Sequence, residues 1–147
     1  MAHTYRNLLI HCVFSTKERR PAIPPELIPG LFKYINGIGG NIHVPVIEAG
    51  GTSNHIHLLI ALAVDITMAK TMQVIKANSS RWMRAHGIAF SWQDGYGAFS
   101  VSASNRDSVR QYIRQQEEHH KKHSFEEEFV ALLNKSGVTF DPKFVFD

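Results

Sequence analysis

The run Asn54-His55-Ile56-His57-Leu58-Leu59-Ile60 reads as a buried strand that carries two histidines one residue apart. Successive side chains on a strand alternate faces at about 3.3 Å per residue, so His55 and His57 point the same way, about 6.5 to 7 Å apart at their backbones. Two imidazoles at that separation can converge on one metal ion, and histidine is the commonest metal ligand. Ile56, Leu58 and Ile60 face the other side, and their burial holds the strand in one register. A lone core histidine is usually structural. Two on one face of an apolar strand must both be desolvated and both partnered, which favours a ligand site.

Outward from this strand, Asn41 to Ala49 (NIHVPVIEA) forms a second strand in which Pro45 points to an edge position or a bulge. Gly50 to Ser53 turns it into the histidine strand, so the two make an antiparallel hairpin. Upstream, Thr4 to Phe14 (TYRNLLIHCVF) is a β-rich apolar run. Pro21, Pro24 and Pro25 then introduce a helix with Leu27, Leu31, Tyr34 and Ile38 on one face, stopped by Gly37, Gly39 and Gly40. Downstream, Asp65 is placed to cap a helix whose core stripe is Met68, Met72, Ile75, Ser79 and Trp82. Gly87 breaks it, and Ala98 to Ser102 is the fourth strand. Ser104 with Asp107 resembles a capping box opening a helix to about Lys122, and Ser124 with Glu127 opens a last helix striped by Phe125, Phe129, Leu132 and Leu133. The order β-α-β-β-α-β plus two helices predicts an α+β, ferredoxin-like sandwich with a four-stranded antiparallel sheet.

A chain of 147 residues with 44% hydrophobic content is suited to a single domain spanning residues 1–147. No signal region or transmembrane-length apolar segment is visible, so a soluble, cytoplasmic protein with no membrane partner is expected. The single cysteine, Cys12, excludes an internal disulfide and a cysteine-built zinc site. Any metal must then use histidine, carboxylate or amide ligands. A net charge of +3 permits a polyanionic partner without demanding one. Lys17, Arg19 and Arg20 in a loop, and Lys70, Lys76, Arg81 and Arg84 on the second helix, are the candidate contacts to a nucleic-acid backbone, although solvated charge is the commoner role of such residues. His3, His86 and His123 read as surface residues.

On the third helix Val109, Tyr112, Ile113 and Gln116 fall at i, i+3, i+4 and i+7, so a phenol and an amide share the inward face. Alone, that pattern describes a core tyrosine with a hydrogen-bonded hydroxyl. Beside two histidines it suits phosphodiester transfer. Tyrosine ionises near pH 10 and needs a cation or base to become a nucleophile at neutral pH. A divalent ion held by His55, His57 and the Gln116 carbonyl could polarise a scissile phosphate. The covalent phosphotyrosine would keep the bond energy, so that rejoining requires no nucleotide cofactor.

At this point the chain resembles the single-tyrosine HUH transposases of the simplest bacterial insertion sequences and the related REP-associated tyrosine transposases. The likeness lies in four ordered blocks: Val13-Phe14-Ser15-Thr16-Lys17-Glu18-Arg19-Arg20-Pro21, Asn54-His55-Ile56-His57-Leu58-Leu59, Gly95-Tyr96-Gly97-Ala98-Phe99-Ser100-Val101-Ser102, and Tyr112-Ile113-Arg114-Gln115-Gln116-Glu117-Glu118-His119-His120. The resemblance implies metal ligands at His55, His57 and Gln116 and a nucleophile at Tyr112. It implies cleavage of single-stranded DNA through a 5′-phosphotyrosine with magnesium or manganese, recognition of hairpins at element ends, and a homodimer. Many relatives carry a Met-Pro turn where this chain has Thr52-Ser53. His119 and His120 are expected to contact DNA or to be structural, outside the ligand set. Two rivals keep the topology without the reaction. One is a catalytically silent hairpin-binding repressor, which has no need of a metal-bound nucleophile. The other is an RNA-binding module, disfavoured because its aromatic strand should be the third, which here carries the histidines.

Overall fold

The computed structural model describes residues 3–147. Four antiparallel strands form one sheet in the order β2-β3-β1-β4, with β1 Leu9–Ser15, β2 Val46–Thr52, β3 His55–Ala61 and β4 Gly97–Val101. The helices are α1 Ile28–Asn41, α2 Met68–Ala85, α3 Arg106–Arg114, α4 Gln116–His119 and α5 Phe125–Lys135. This is the expected α+β arrangement, with the histidine strand central between β2 and β1.

Each face of the sheet has its own cover because each central strand is buried on both sides. Cys12, Phe14, Ile56, Leu58 and Ile60 point toward α1 and α2 and make the main core with Leu31, Ile35, Met72 and Ile75. The opposite face pairs Val13 with His57 and Ser15 with His55. It is covered by the later helices: α3 packs Ile113 over Leu9 and Leu59, and α5 packs Phe125 and Leu133 over Val13 and Phe99.

Several boundaries differ from the sequence expectation. β1 starts at Leu9, five residues late, since exposed Thr4 to Leu8 have no strand partner. β2 runs Val46–Thr52 and not 41–49, because α1 extends through Asn41 and Pro45, lacking an N–H, lies just ahead of the ladder. Its edge position and the register shift between Val46 and Glu48 match the reading of Pro45. Thr67, not Asp65, caps α2, its side chain accepting from the Lys70 N–H. Ser104 makes no cap; its hydroxyl lies 3.0 Å from that of Ser102. The helix expected to reach Lys122 is interrupted at Gln115, where ψ swings to 21° and separates α3 from α4. The Ser124–Glu127 capping box does form, fixing the start of α5.

Candidate metal and tyrosine site

Strand alternation delivers both histidines of β3 to the face under α3, α4 and α5, where each is fully buried. His57 Nε2 lies 2.9 Å from Glu128 Oε1. His55 Nε2 lies 3.0 Å from Gln116 Oε1 and 3.5 Å from Glu128 Oε1. His120 Nε2 approaches the same two oxygens at 2.9 and 3.1 Å. One ligand atom each from His55, His57, His120 and Glu128 all lie within 4.8 Å of one another. The sequence expectation had kept His120 out of the ligand set. The interruption at Gln115 and the turn to Ser124 bring it into the cluster, while His119 stands beside Tyr112 with ring centroids 5.5 Å apart. His119 Nε2 is a buried nitrogen with no hydrogen bond.

The partners of the outer ring nitrogens decide what the inner ones can do. His55 Nδ1 lies 2.8 Å from Asn54 Oδ1, and His120 Nδ1 lies 2.7 Å from the His123 carbonyl. Such oxygens only accept, so both rings carry a proton on Nδ1 and donate it there. Thr52 puts its hydroxyl 3.0 Å from the same His55 nitrogen. The Nε2 lone pairs then face the oxygens of Glu128 and Gln116, which are acceptors themselves. Acceptors facing acceptors repel, and a second proton on a ring or a cation among them resolves it. His57 Nδ1 is 2.8 Å from His11 Nε2; donation to His11 frees a third Nε2 lone pair for the centre. Imidazole nitrogens with carboxylate and amide oxygens fit a divalent ion such as manganese.

Charge states agree with this donor set. Burial lowers the His57 imidazole to about 4, and burial together with His57 lowers His11 to about 3, so both rings are neutral at pH 7. Burial alone would raise the Glu128 carboxyl, but contact with His120, His55 and His57 holds it far below the usual carboxylate range. Burial opposes a charge on His120, yet Glu128 and the His123 carbonyl raise its pKa overall.

Tyr112 stands on α3, and its hydroxyl donates to Glu128 Oε2, the oxygen turned away from His57. Burial first, and then the Glu128 carboxylate, push the phenol above its ordinary range, so it rests protonated. α3 can come this close because Gly50 on β2 has no side chain: a Cβ there would sit 1.9 Å from the Ile113 carbonyl oxygen. Gln116 is buried one turn beyond Tyr112 and reaches its carbonyl at 3.4 Å from Nε2. The phenol, the amide and both histidines expected from the sequence are thus brought together in one chain.

The basic residues separate into two groups. Arg19, turned back by a backbone with φ 57°, donates to the Phe146 carbonyl at 3.0 Å and lies over the Phe146 ring. Lys76 Nζ donates to the carbonyls of Gln93 and Gly95 at 2.6 and 2.8 Å, and Arg84 points to the Phe90 carbonyl at 3.4 Å. These cations hold loops. Lys17, Arg20, Lys70 and Arg81 are exposed, and Arg20 pairs with Glu18. α2 lies on the sheet face opposite the histidines, so Lys70, Arg81 and Arg84 are remote from Tyr112.

The residues not foreseen are His11 and Glu128. Glu128 had a signal: it lies three residues after Phe125 and four before Leu132, on the apolar stripe of α5, where a carboxylate must have a polar partner. His11 sits in an apolar run with no second polar residue to mark it.

Comparison with known proteins agrees with this architecture. No curated protein matches the sequence. A structure of a protein from Deinococcus radiodurans R1, described as a candidate transposase, superposes with a TM-score of 0.64 at 20% identity, covering 77% of this chain and 93% of that one. A REP-associated tyrosine transposase bound to a REP hairpin superposes with a TM-score of 0.56 at 16% identity, covering 77% and 70%. At these identities both establish the shared fold. The family model described as "Transposase IS200 like" matches residues 4–116, well over half of the sequence. The chain therefore belongs to the IS200-like transposase family.

Proposed function

We propose that this protein is a metal-dependent transposase that cleaves and rejoins single-stranded DNA through a 5′-phosphotyrosine at Tyr112. The observation that carries the reading is the convergence of the Tyr112 hydroxyl with the imidazoles of His55 and His57 in one buried cluster. Binding alone gives no reason to bury a phenol against a carboxylate and two histidines.

His55, His57 and Gln116 would hold magnesium or manganese, which when bound offsets charge developing on the phosphate oxygens. Tyr112 Oη attacks phosphorus, and its proton leaves along the hydrogen bond to Glu128 Oε2. The bond from phosphorus to the 3′-oxygen breaks, that oxygen takes up the proton given up by Tyr112 and only relayed by Glu128, and the 5′ phosphate remains on Tyr112. Attack by another strand's 3′-hydroxyl on the phosphotyrosine reverses these bond changes and returns the proton to the phenol. Two bonds of equal kind are exchanged, so no nucleotide cofactor is consumed. His11 keeps His57 in the tautomer that presents Nε2, and the burial of both rings excludes water that would hydrolyse the intermediate.

The hairpin in the REP-bound relative supports hairpin ends as the substrate class, and two ends held at once call for a homodimer. Exposed Lys17 and Arg20, at the end of β1 beside the site, are the basic residues best placed to meet the phosphate backbone. The test is a denaturing-gel adduct assay with hairpin-bearing single strands from the DNA flanking the gene. Wild type with manganese should yield a covalent species that chelator and Tyr112→Phe each abolish, while Tyr112→Phe still binds the hairpin. Tight hairpin binding by wild type with no adduct across a hairpin library would favour a silent repressor.

A further inference from the structure

The family match ends at Gln116, yet much of the polar cluster comes from residues beyond it. We propose that Glu128 and His120 are ligands of the metal centre together with His55 and His57, so that α5 is a working part of that centre. The inference rests on the proposed function in taking the ion to be the one that serves Tyr112.

Three successive carboxylates open α5, Glu126, Glu127 and Glu128, and only the third turns inward. The capping box sets the helix phase, Glu127 is spent on it, and Phe125 and Leu133 anchor the buried side. Glu128 is therefore held where an apolar residue would ordinarily pack, at 4% exposure, the one buried carboxylate among the described residues. A buried charge is costly unless paired, and replacing it with a hydrophobe is often neutral or stabilising, so its presence asks for a ligand-binding reason.

The contacts supply that reason. Glu128 Oε1 faces the Nε2 atoms of His57, His120 and His55 at 2.9, 3.1 and 3.5 Å. Two of those nitrogens carry lone pairs toward it, because the Asn54 and His123 oxygens hold their ring protons on the far side. His55, His57, His120 and Gln116 are all neutral donors, and Glu128 adds the negative charge that a divalent ion needs from its ligands. The second oxygen, Oε2, accepts from Tyr112. One carboxylate thus ties the nucleophile's position to the centre.

Manganese titration of the full chain, followed by the electron paramagnetic resonance of free ion, tests this without reference to turnover. Glu128→Gln and His120→Ala should each weaken manganese binding by about tenfold or more, and Glu128→Asp, which keeps the charge on a shorter stem, should fall between them and wild type. Circular dichroism of the metal-free variants checks the fold; if Glu128→Gln does not fold, His120→Ala at the edge of the cluster decides. Binding by Glu128→Gln and His120→Ala within twofold of wild type, with loss in His57→Ala, would overturn the inference and leave the transposase reading intact. The expected losses in a protein that forms no phosphotyrosine adduct would do the reverse.

Discussion

At the level of single residues the site is a problem in hydrogen-bond direction. Four imidazoles, of His55, His57, His119 and His120, approach the Glu128 carboxylate, with His11 and the Gln116 amide in contact with them, and what each can offer is set by the atom behind it. His11 is the clearest case, because among the described residues the one hydrogen-bonded contact of its ring is His57 Nδ1 at 2.8 Å, and the rings stack with centroids 5.0 Å apart. Kept neutral by burial, it can accept from His57 and so turn the His57 Nε2 lone pair to the centre. His11→Phe fills the same space with no acceptor. It should weaken manganese binding by about 10- to 100-fold, the usual effect of losing a group behind a metal-ligating histidine, while His11→Gln, whose amide oxygen can accept, should recover part of it. Equal affinities for wild type and phenylalanine variant in a manganese titration would remove His11 from any part in orienting His57.

At the level of elements, the site depends on how closely α3 lies on the sheet. Gly50 permits that approach. In Gly50→Ala the new Cβ would start 1.9 Å from the Ile113 carbonyl oxygen, a backbone atom that cannot rotate away, so α3 must shift. Overpacking of this kind costs about 1 to 3 kcal/mol, and displacing a reacting group by about 1 Å can cost about 100-fold in rate. Adduct formation should therefore fall by about two orders of magnitude in a variant that still melts cooperatively. An unchanged adduct rate would mean that Tyr112 is placed by something other than this contact. The same elements show how far sequence patterns reach. The strand alternation of His55 and His57, and the four-residue step from Tyr112 to Gln116, are local repeats and were legible. The interruption at Gln115 was not, because nothing in Arg114-Gln115-Gln116 breaks a helix; the kink belongs to the packing of α3 and α4 over β2. Ser104 and Ser124 carry the same capping signature, yet only Ser124 forms the box, since Ser104 lies in a tight turn where its hydroxyl meets Ser102. Glu128 was legible in principle as a charge on an apolar stripe, but its partner is 71 residues away in His57.

For the molecule as a whole, the centre joins parts of the chain that little else connects. α5 is held by a small cluster around Val13, Phe99, Phe125 and Leu133, separate from the main core under α1 and α2. The tail beyond it returns to Arg19 through Phe146. An ion bound by β3 on one side and by His120 and Glu128 on the other would fasten that second layer to the sheet. Ligand binding to the folded state alone adds about 2.7 kcal/mol at a concentration 100 times Kd. In a domain of this size, that corresponds to a rise in melting temperature of roughly 5 to 11 °C. Manganese should produce such a rise over chelator-treated protein, with the amides of Phe125–Lys135 gaining most protection in hydrogen exchange. Glu128→Gln should lose most of the rise, because the ion then holds only the sheet side. The His55→Ala, His57→Ala double variant sets the baseline: a rise there as large as in wild type would place the stabilising ion outside the cluster, and a rise without added protection of α5 would leave that helix uncoupled from the metal.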